Sequence, residues 1–177
     1  MKKYLLPVLS TVLTAAILFG ASWALNSTAN ANAQKEHLQI LHTLLPGSEE
    51  FVIEPYTGDD ANVRSVHKAE NGFVVETSTQ GYAGEITMLV GVSNEGTVTG
   101  LVVRSLSETW GLGREALTDA DFLAKFLNTA GDAAIGEGVD AISGATVTSK
   151  AIARCVNSAV AVVTGADASS SATSWGG

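Results

Sequence analysis

A single cysteine among 177 residues sets the first limits. Cys155 can close no internal disulfide and cannot hold an iron–sulfur cluster alone. Inside an apolar helical run it reads as a small core residue, and it stands too far from the N-terminus to be a lipoprotein cysteine. The three histidines, His37, His42 and His67, make no metal-ligand spacing with it or with a carboxylate cluster. Basic residues are scarce as well, ten against 18 acidic, and the formal net charge of −8 becomes −10 once Lys2 and Lys3 are set aside. Such a surface repels nucleic-acid phosphates, and no basic patch interrupts it. There is no Walker loop, no nicotinamide fingerprint and no Ser-His-Asp set. No internal repeat is evident. The chain lacks the parts of a self-sufficient enzyme.

Charge is also absent from Tyr4 to Leu25, a run of 22 residues. As a helix it would span about 33 Å, enough for a bilayer core. Pro7 lies near its start, where a missing N–H costs least. Lys2 and Lys3 precede it, which predicts a cytoplasmic N-terminus and a chain that continues on the outer face. The run holds no ionisable side chain for an ion pathway, so the anchor cannot by itself move ions. Ala31-Asn32-Ala33 offers the competing reading of a cleaved signal peptide, though the apolar run is longer than a usual signal core. Both readings deliver the following domain to the same compartment. The expected division is an anchor and spacer over 1–33, one small extracytoplasmic domain over 34–164, and a flexible Ser/Ala/Gly tail over 165–177.

Within that domain the hydrophobic period changes along the chain. Gln34 to Leu45 carries Leu38, Leu41, Leu44 and Leu45 at helical spacing and ends before Pro46-Gly47. It is expected to pack on the domain, with partner contact as an alternative. Residues 47–62 read as loop. Two hairpins follow. Val63–Ala69 and Phe73–Ser78 flank Asn71-Gly72; Glu85–Ser93 and Thr97–Ser105 flank Asn94-Glu95-Gly96. Glu115 to Asn128 reads as a helix, with Thr118 or Asp119 able to cap part of it, and Gly131 to Val139 as an acidic connection. Val147 to Val163 reads as the last helix, with Ala151, Ile152, Cys155, Val156, Ala159 and Val163 on one apolar face. Strand hairpins followed by helices predict an α+β domain, an antiparallel sheet with helices laid on it.

Just before the last helix stands Asp140-Ala141-Ile142-Ser143-Gly144-Ala145-Thr146. Ser143 and Thr146 lie where a helix begins, and there the unpaired N–H groups and the dipole favour a phosphate. Gly144 and Ala145 let a bulky ligand approach the backbone. The plain alternative is that a hydroxyl at this place only caps the helix. Thr148 and Ser149 are further hydroxyls nearby.

These seven residues resemble the Asp-x-x-Ser-Gly-Ala-Thr signature of proteins that carry FMN esterified to the last threonine. Three more stretches resemble the same family: Gly81-Tyr82-Ala83-Gly84, Ile86 to Gly100, and Glu108-Thr109-Trp110-Gly111-Leu112-Gly113. The family is the FMN-binding domain of the RnfG and NqrC type, the membrane-anchored flavin subunits of ion-translocating electron-transfer complexes. The short length favours the Rnf type. With the anchor, the resemblance covers most of the chain between Lys2 and Val163. It implies FMN joined through its phosphate to the Thr146 hydroxyl, with Thr148 and Ser149 as the runner-up acceptors. It further implies a flavin transferase that reads Asp140 and Ser143, although Asp140 also reads as a solvated turn carboxylate. Lys150 can balance the phosphate charge or stand solvated on the open helix face. Glu108 and Thr109 are expected to hydrogen-bond the flavin, beside the backbone of Gly111 and Leu112. Trp110 replaces the family's proline; it leaves the loop less stiff and offers a ring that could stack on the flavin or pack on the surface. Tyr82 is expected to pack.

The implied role is an electron-relaying subunit that needs neighbours. These are the integral-membrane and peripheral subunits of an Rnf-type complex, with membrane lipid and no nucleic acid. A free-standing extracytoplasmic flavin carrier, an NqrC-like component of a sodium-pumping quinone reductase, and a flavin-free binding module are the alternatives.

Overall fold

The computed structural model describes residues 32–106, 117–136 and 138–166. The expected anchor over Tyr4–Leu25 and nearly all of the tail lie outside them. Among the described residues no helix is long and apolar enough to cross a membrane. The chain divides into two compact units, Met1–Gln39 and Ile40–Gly177. Of the first, only 32–39 are described, as helix.

The second unit is built on a five-stranded antiparallel sheet whose spatial order follows the chain: β1 (Val52–Glu54), β2 (Val63–Ala69), β3 (Gly72–Gln80), β4 (Glu85–Ser93) and β5 (Val98–Leu106). This meander is what two adjacent hairpins produce when each strand pairs with its neighbour in sequence. The period of two sorts the side chains to opposite faces. On β3, Val75 enters one hydrophobic cluster and Val74 the other; on β4, Met88 and Val90 join the first and Leu89 the second.

Each face has its own cover. The helix over 32–44, α1, places Leu41 and Leu44, with Leu45 just beyond it, against Val74 and Leu89. The opposite face takes the short helix α2 (Ala120–Ala124) and the long helix α3 (Thr146–Thr164). From α3, Ala151, Ile152, Cys155, Val156, Ala159 and Val160 are all buried there, together with Phe122 and Phe126 from the α2 segment. The two phenyl rings meet edge to face, 5.3 Å between centroids. Gly165 ends α3 in the left-handed conformation, its N–H donating to the Ala161 carbonyl.

Gly91 and Gly100 lie directly opposite one another on β4 and β5. A Cβ on Gly91 would stand 2.4 Å from the Leu44 carbonyl oxygen, and one on Gly100 would stand 3.0 Å from the Leu44 Cδ2. The bare pair is the slot into which the end of α1 settles. The Thr99 hydroxyl donates to that same carbonyl at 2.5 Å.

Three local expectations need correction. The stretch read as loop over 47–62 contains a strand, β1, which pairs Val52 with Lys68 and Glu54 with Val66; three residues are too few to show a period. The first hairpin turns at Glu70-Asn71, because Ala69 pairs with Gly72. Gly72 belongs to the strand, where a Cβ would stand 2.2 Å from the Val92 carbonyl oxygen. The Asn71 amide donates to the Pro46 carbonyl at 2.8 Å. The helix expected over 115–128 is interrupted: Leu117 and Thr118 are helical, Asp119 is extended and caps α2 by accepting from the N–H groups of Asp121 and Phe122, and 125–128 are turn.

Two predictions come from the core. Gly91→Val should lower the unfolding free energy by about 1–3 kcal/mol or more through overpacking. Gly138→Ala, which meets nothing within 4 Å, should leave it nearly unchanged. Denaturant titration of both variants is the check. Burial pushes the Cys155 thiol up to about 11, against smaller opposing contributions from the neighbouring Thr77 hydroxyl and the Arg154 charge. The thiolate is therefore scarce at pH 8, and iodoacetamide should fail to alkylate native protein at that pH while alkylating it readily in denaturant.

Candidate functional site

The approach to α3 is a tight turn. The Ala145 N–H donates to the Ile142 carbonyl at 2.9 Å, and Gly144 has φ +78°, a left-handed conformation that a side chain would strain. Ala145 is the residue before the helix, with φ −119° and ψ 29°, and its methyl is buried. No side chain caps the helix. The hydroxyls read as possible caps are therefore not used that way, and Thr146, the first helical residue, stands exposed. Ser143 and Gly144 are exposed beside it. No acidic side chain lies in the first turn, so nothing there opposes the positive end of the dipole.

The neighbouring hydroxyls are placed differently. Thr148 is 1% exposed, and its Oγ1 has no hydrogen-bond partner. Ser149 is fully buried, and its Oγ accepts from the Ile142 N–H at 3.3 Å. The same helix rotation that buries Ile152 and Val156 turns Thr148 and Ser149 inward and leaves Thr146 outside. An exposed hydroxyl, uncapped first-turn amides and a turn relieved of Cβ at Gly144 together suit a phosphate carried on Thr146.

Outward from Thr146 the same helix face carries Lys150 and then Arg154, four and eight residues on, both half-buried. Arg154 is a residue that motif reading missed. Its Nη2 donates to the Gln80 carbonyl at 3.3 Å and ties α3 to the end of β3. Its i, i+4, i+8 spacing from Thr146 was the available signal. Beyond Gln80 the Gly81–Gly84 turn closes, with the Gly81 N–H donating to the Gly84 carbonyl at 2.8 Å. Tyr82 does not pack as expected; at the tip of this turn it is 74% exposed. Glu85, just after the turn, has its carboxyl held below the usual range by the Ser78 hydroxyl first and the Arg64 guanidinium second.

Asp140 lies at the outer end of the signature. Its side chain is 97% exposed and 4.0 Å from the Lys125 ammonium, an arrangement worth little in water. Glu108, Thr109, Trp110, Gly111 and Leu112 lie outside the described residues. The described residues contain no group of three or more His, Cys, Asp or Glu side chains fit to hold a metal ion.

Comparison with known proteins bears on this geometry directly. The model of the FMN-binding domain family matches residues 81–161, from the Gly81 turn to the last turns of α3. The G subunit of an ion-translocating oxidoreductase complex from Methanosarcina acetivorans is 37% identical over 146 residues, covering 73% of this chain and 74% of the relative. The chain belongs to this FMN-binding, RnfG-type family. FMN is accordingly the cofactor that this family's domain takes. Two further relatives of the same kind align over about half of their length. The G subunit of a Na(+)-translocating ferredoxin:NAD(+) oxidoreductase complex from Acetobacterium woodii is 35% identical over 100 residues, 51% of this chain and 48% of the relative. The G subunit of a proton-translocating ferredoxin:NAD(+) oxidoreductase complex from Clostridium ljungdahlii is 37% identical over 98 residues, 52% of this chain and 53% of the relative.

The buried Thr148 hydroxyl generates a test. Thr148→Val removes an unpartnered polar atom at nearly constant shape, so it should leave stability unchanged or raise it by about 1 kcal/mol. Thermal unfolding of the variant measures this; a marked loss of stability would reveal a partner for Oγ1.

Proposed function

We propose that this chain is the flavin-carrying RnfG-type component of an ion-translocating complex and relays electrons within it. FMN is held through a phosphoester to the Thr146 hydroxyl. One observation carries the residue assignment: of the three hydroxyls at the start of α3, only that of Thr146 is exposed. A transferase must bring an activated phosphate to an oxygen it can reach, which disfavours Thr148 and Ser149. Family membership supports the flavin itself. FMN accepts one or two electrons when bound, and the protein supplies placement and electrostatics.

The residues of this chain have separable tasks in that reading. Gly144 gives the ligand room at the backbone, and the first-turn amides of α3 hydrogen-bond the phosphate oxygens. Lys150, four residues beyond Thr146 on the same helix face, offsets the phosphate charge. Asp140 and Ser143, both exposed, are available to the maturing flavin transferase. Glu108, Thr109, Trp110, Gly111 and Leu112 are proposed to border the ring by family resemblance. The proposal places an anchor over Tyr4–Leu25, with the domain on the extracytoplasmic side of the membrane. A covalent link suits that location, where a dissociated flavin would be lost.

The deciding experiment uses protein isolated from its native membrane. Intact mass should exceed the sequence mass by FMN less one water, with the gain on the peptide containing Thr146. Thr146→Ala should abolish in-gel flavin fluorescence after denaturation and change stability by no more than about 0.5 kcal/mol, as at other surface positions. Fluorescence that survives this substitution, or a flavin mapped to Thr148, would overturn the linkage.

A further inference from the structure

The edge of the sheet farthest from β5 has no cover among the described residues. Successive side chains of a strand point to opposite faces, yet on β1 both Val52 and Ile53 are exposed, at 62% and 69%. Two large apolar side chains thus stand on either side of an outer strand that, among the described residues, pairs only with β2. Natural edge strands are usually blunted against association; this one is short but presents apolar groups on both faces. Beside it opens a cleft of about 720 Å³, lined by Val52, Lys68 and four carboxylates, Glu49, Glu50, Glu54 and Glu70. Lys68 is already engaged. Its ammonium is 3.0 Å from Glu54 and lies 5.7 Å from the centre of the Phe73 ring. Glu49, Glu50 and Glu70 have no ion-pair partner among the described residues.

We propose that β1 and this cleft form a docking edge for an extended, lysine- or arginine-bearing segment of another subunit. The segment adds as a strand outside β1, buries Val52 and Ile53, and places its cations against Glu49, Glu50 and Glu70. Charge selects this occupant. A second copy of the chain would bring the same glutamates to the edge, and like charges brought face to face oppose pairing. An anionic lipid surface is repelled for the same reason. β-strand addition supplies main-chain hydrogen bonds, while alternate side chains and complementary charge supply specificity. The inference rests on the assembly half of the proposed function and is independent of the flavin linkage.

The test uses the full chain assembled in its native membrane, with the photoreactive residue p-benzoylphenylalanine placed at position 53. After irradiation, the adduct should map to a lysine- or arginine-containing peptide of a co-purifying subunit. Charge reversal with Glu49→Lys and Glu50→Lys should lower the adduct yield at least tenfold. The milder pair Glu49→Gln and Glu50→Gln should lower it less. In-gel flavin fluorescence and the unfolding midpoint report separately on the cofactor and the fold. An adduct on a second copy or on lipid would overturn the proposal, as would no adduct in an intact complex or a yield indifferent to charge reversal. A chain that co-purifies with no other subunit would overturn the assembly reading as well.

Discussion

The docking of α3 on the sheet is the constraint from which the site follows. Ala151, Ile152, Cys155, Val156, Ala159 and Val160 must all face inward to bury their surface against the sheet. That requirement fixes the rotation of the helix about its axis. Once the rotation is fixed, so is the fate of every polar side chain on it. Thr148 and Ser149 fall inside, while Thr146, Lys150 and Arg154 fall outside. The chemistry proposed for the helix start is thus selected by apolar packing about one to four turns away, and the Gly144 turn only brings the chain to that point.

Much of this was legible in the residues. β-branched runs around turn signals gave the strands β2 to β5, and helical spacing gave α3 to within a residue or two at each end. The apolar face of α3 could be read because six small or aliphatic residues recur at its period. The hydroxyls could not be ranked the same way. Sequence shows four of them near the helix start, and only packing separates an exposed Thr146 from a buried Thr148. β1 was illegible for another reason: its three residues acquire their conformation from β2, through long-range pairing that no local pattern encodes. The first turn was misplaced by one residue, since Asn-Gly is a strong local signal and the close approach of Gly72 to the Val92 carbonyl is a tertiary one. Arg154 went unnoticed because its partner is a backbone carbonyl 74 positions earlier in the chain.

The relatives add a boundary on what this protein decides. One is named for sodium translocation and another for proton translocation, yet each is more than a third identical to this chain over the matched region. That agrees with the run expected as an anchor, Tyr4–Leu25, which holds no Asp, Glu, Lys, Arg or His. Under the proposed function, choice of ion rests with other subunits, and this one contributes a placed cofactor and a surface through which it assembles.

The isolation of Cys155 has a practical consequence. It is the only sulfhydryl in the sequence, and it lies sealed between α3 and the sheet. A cysteine introduced at any solvent-facing position would be the sole group open to a maleimide, with no background to subtract and no native thiol to remove first. Spin labels or fluorophores could therefore be attached one at a time to the intact chain, making the distance from each labelled position to a bound flavin directly measurable.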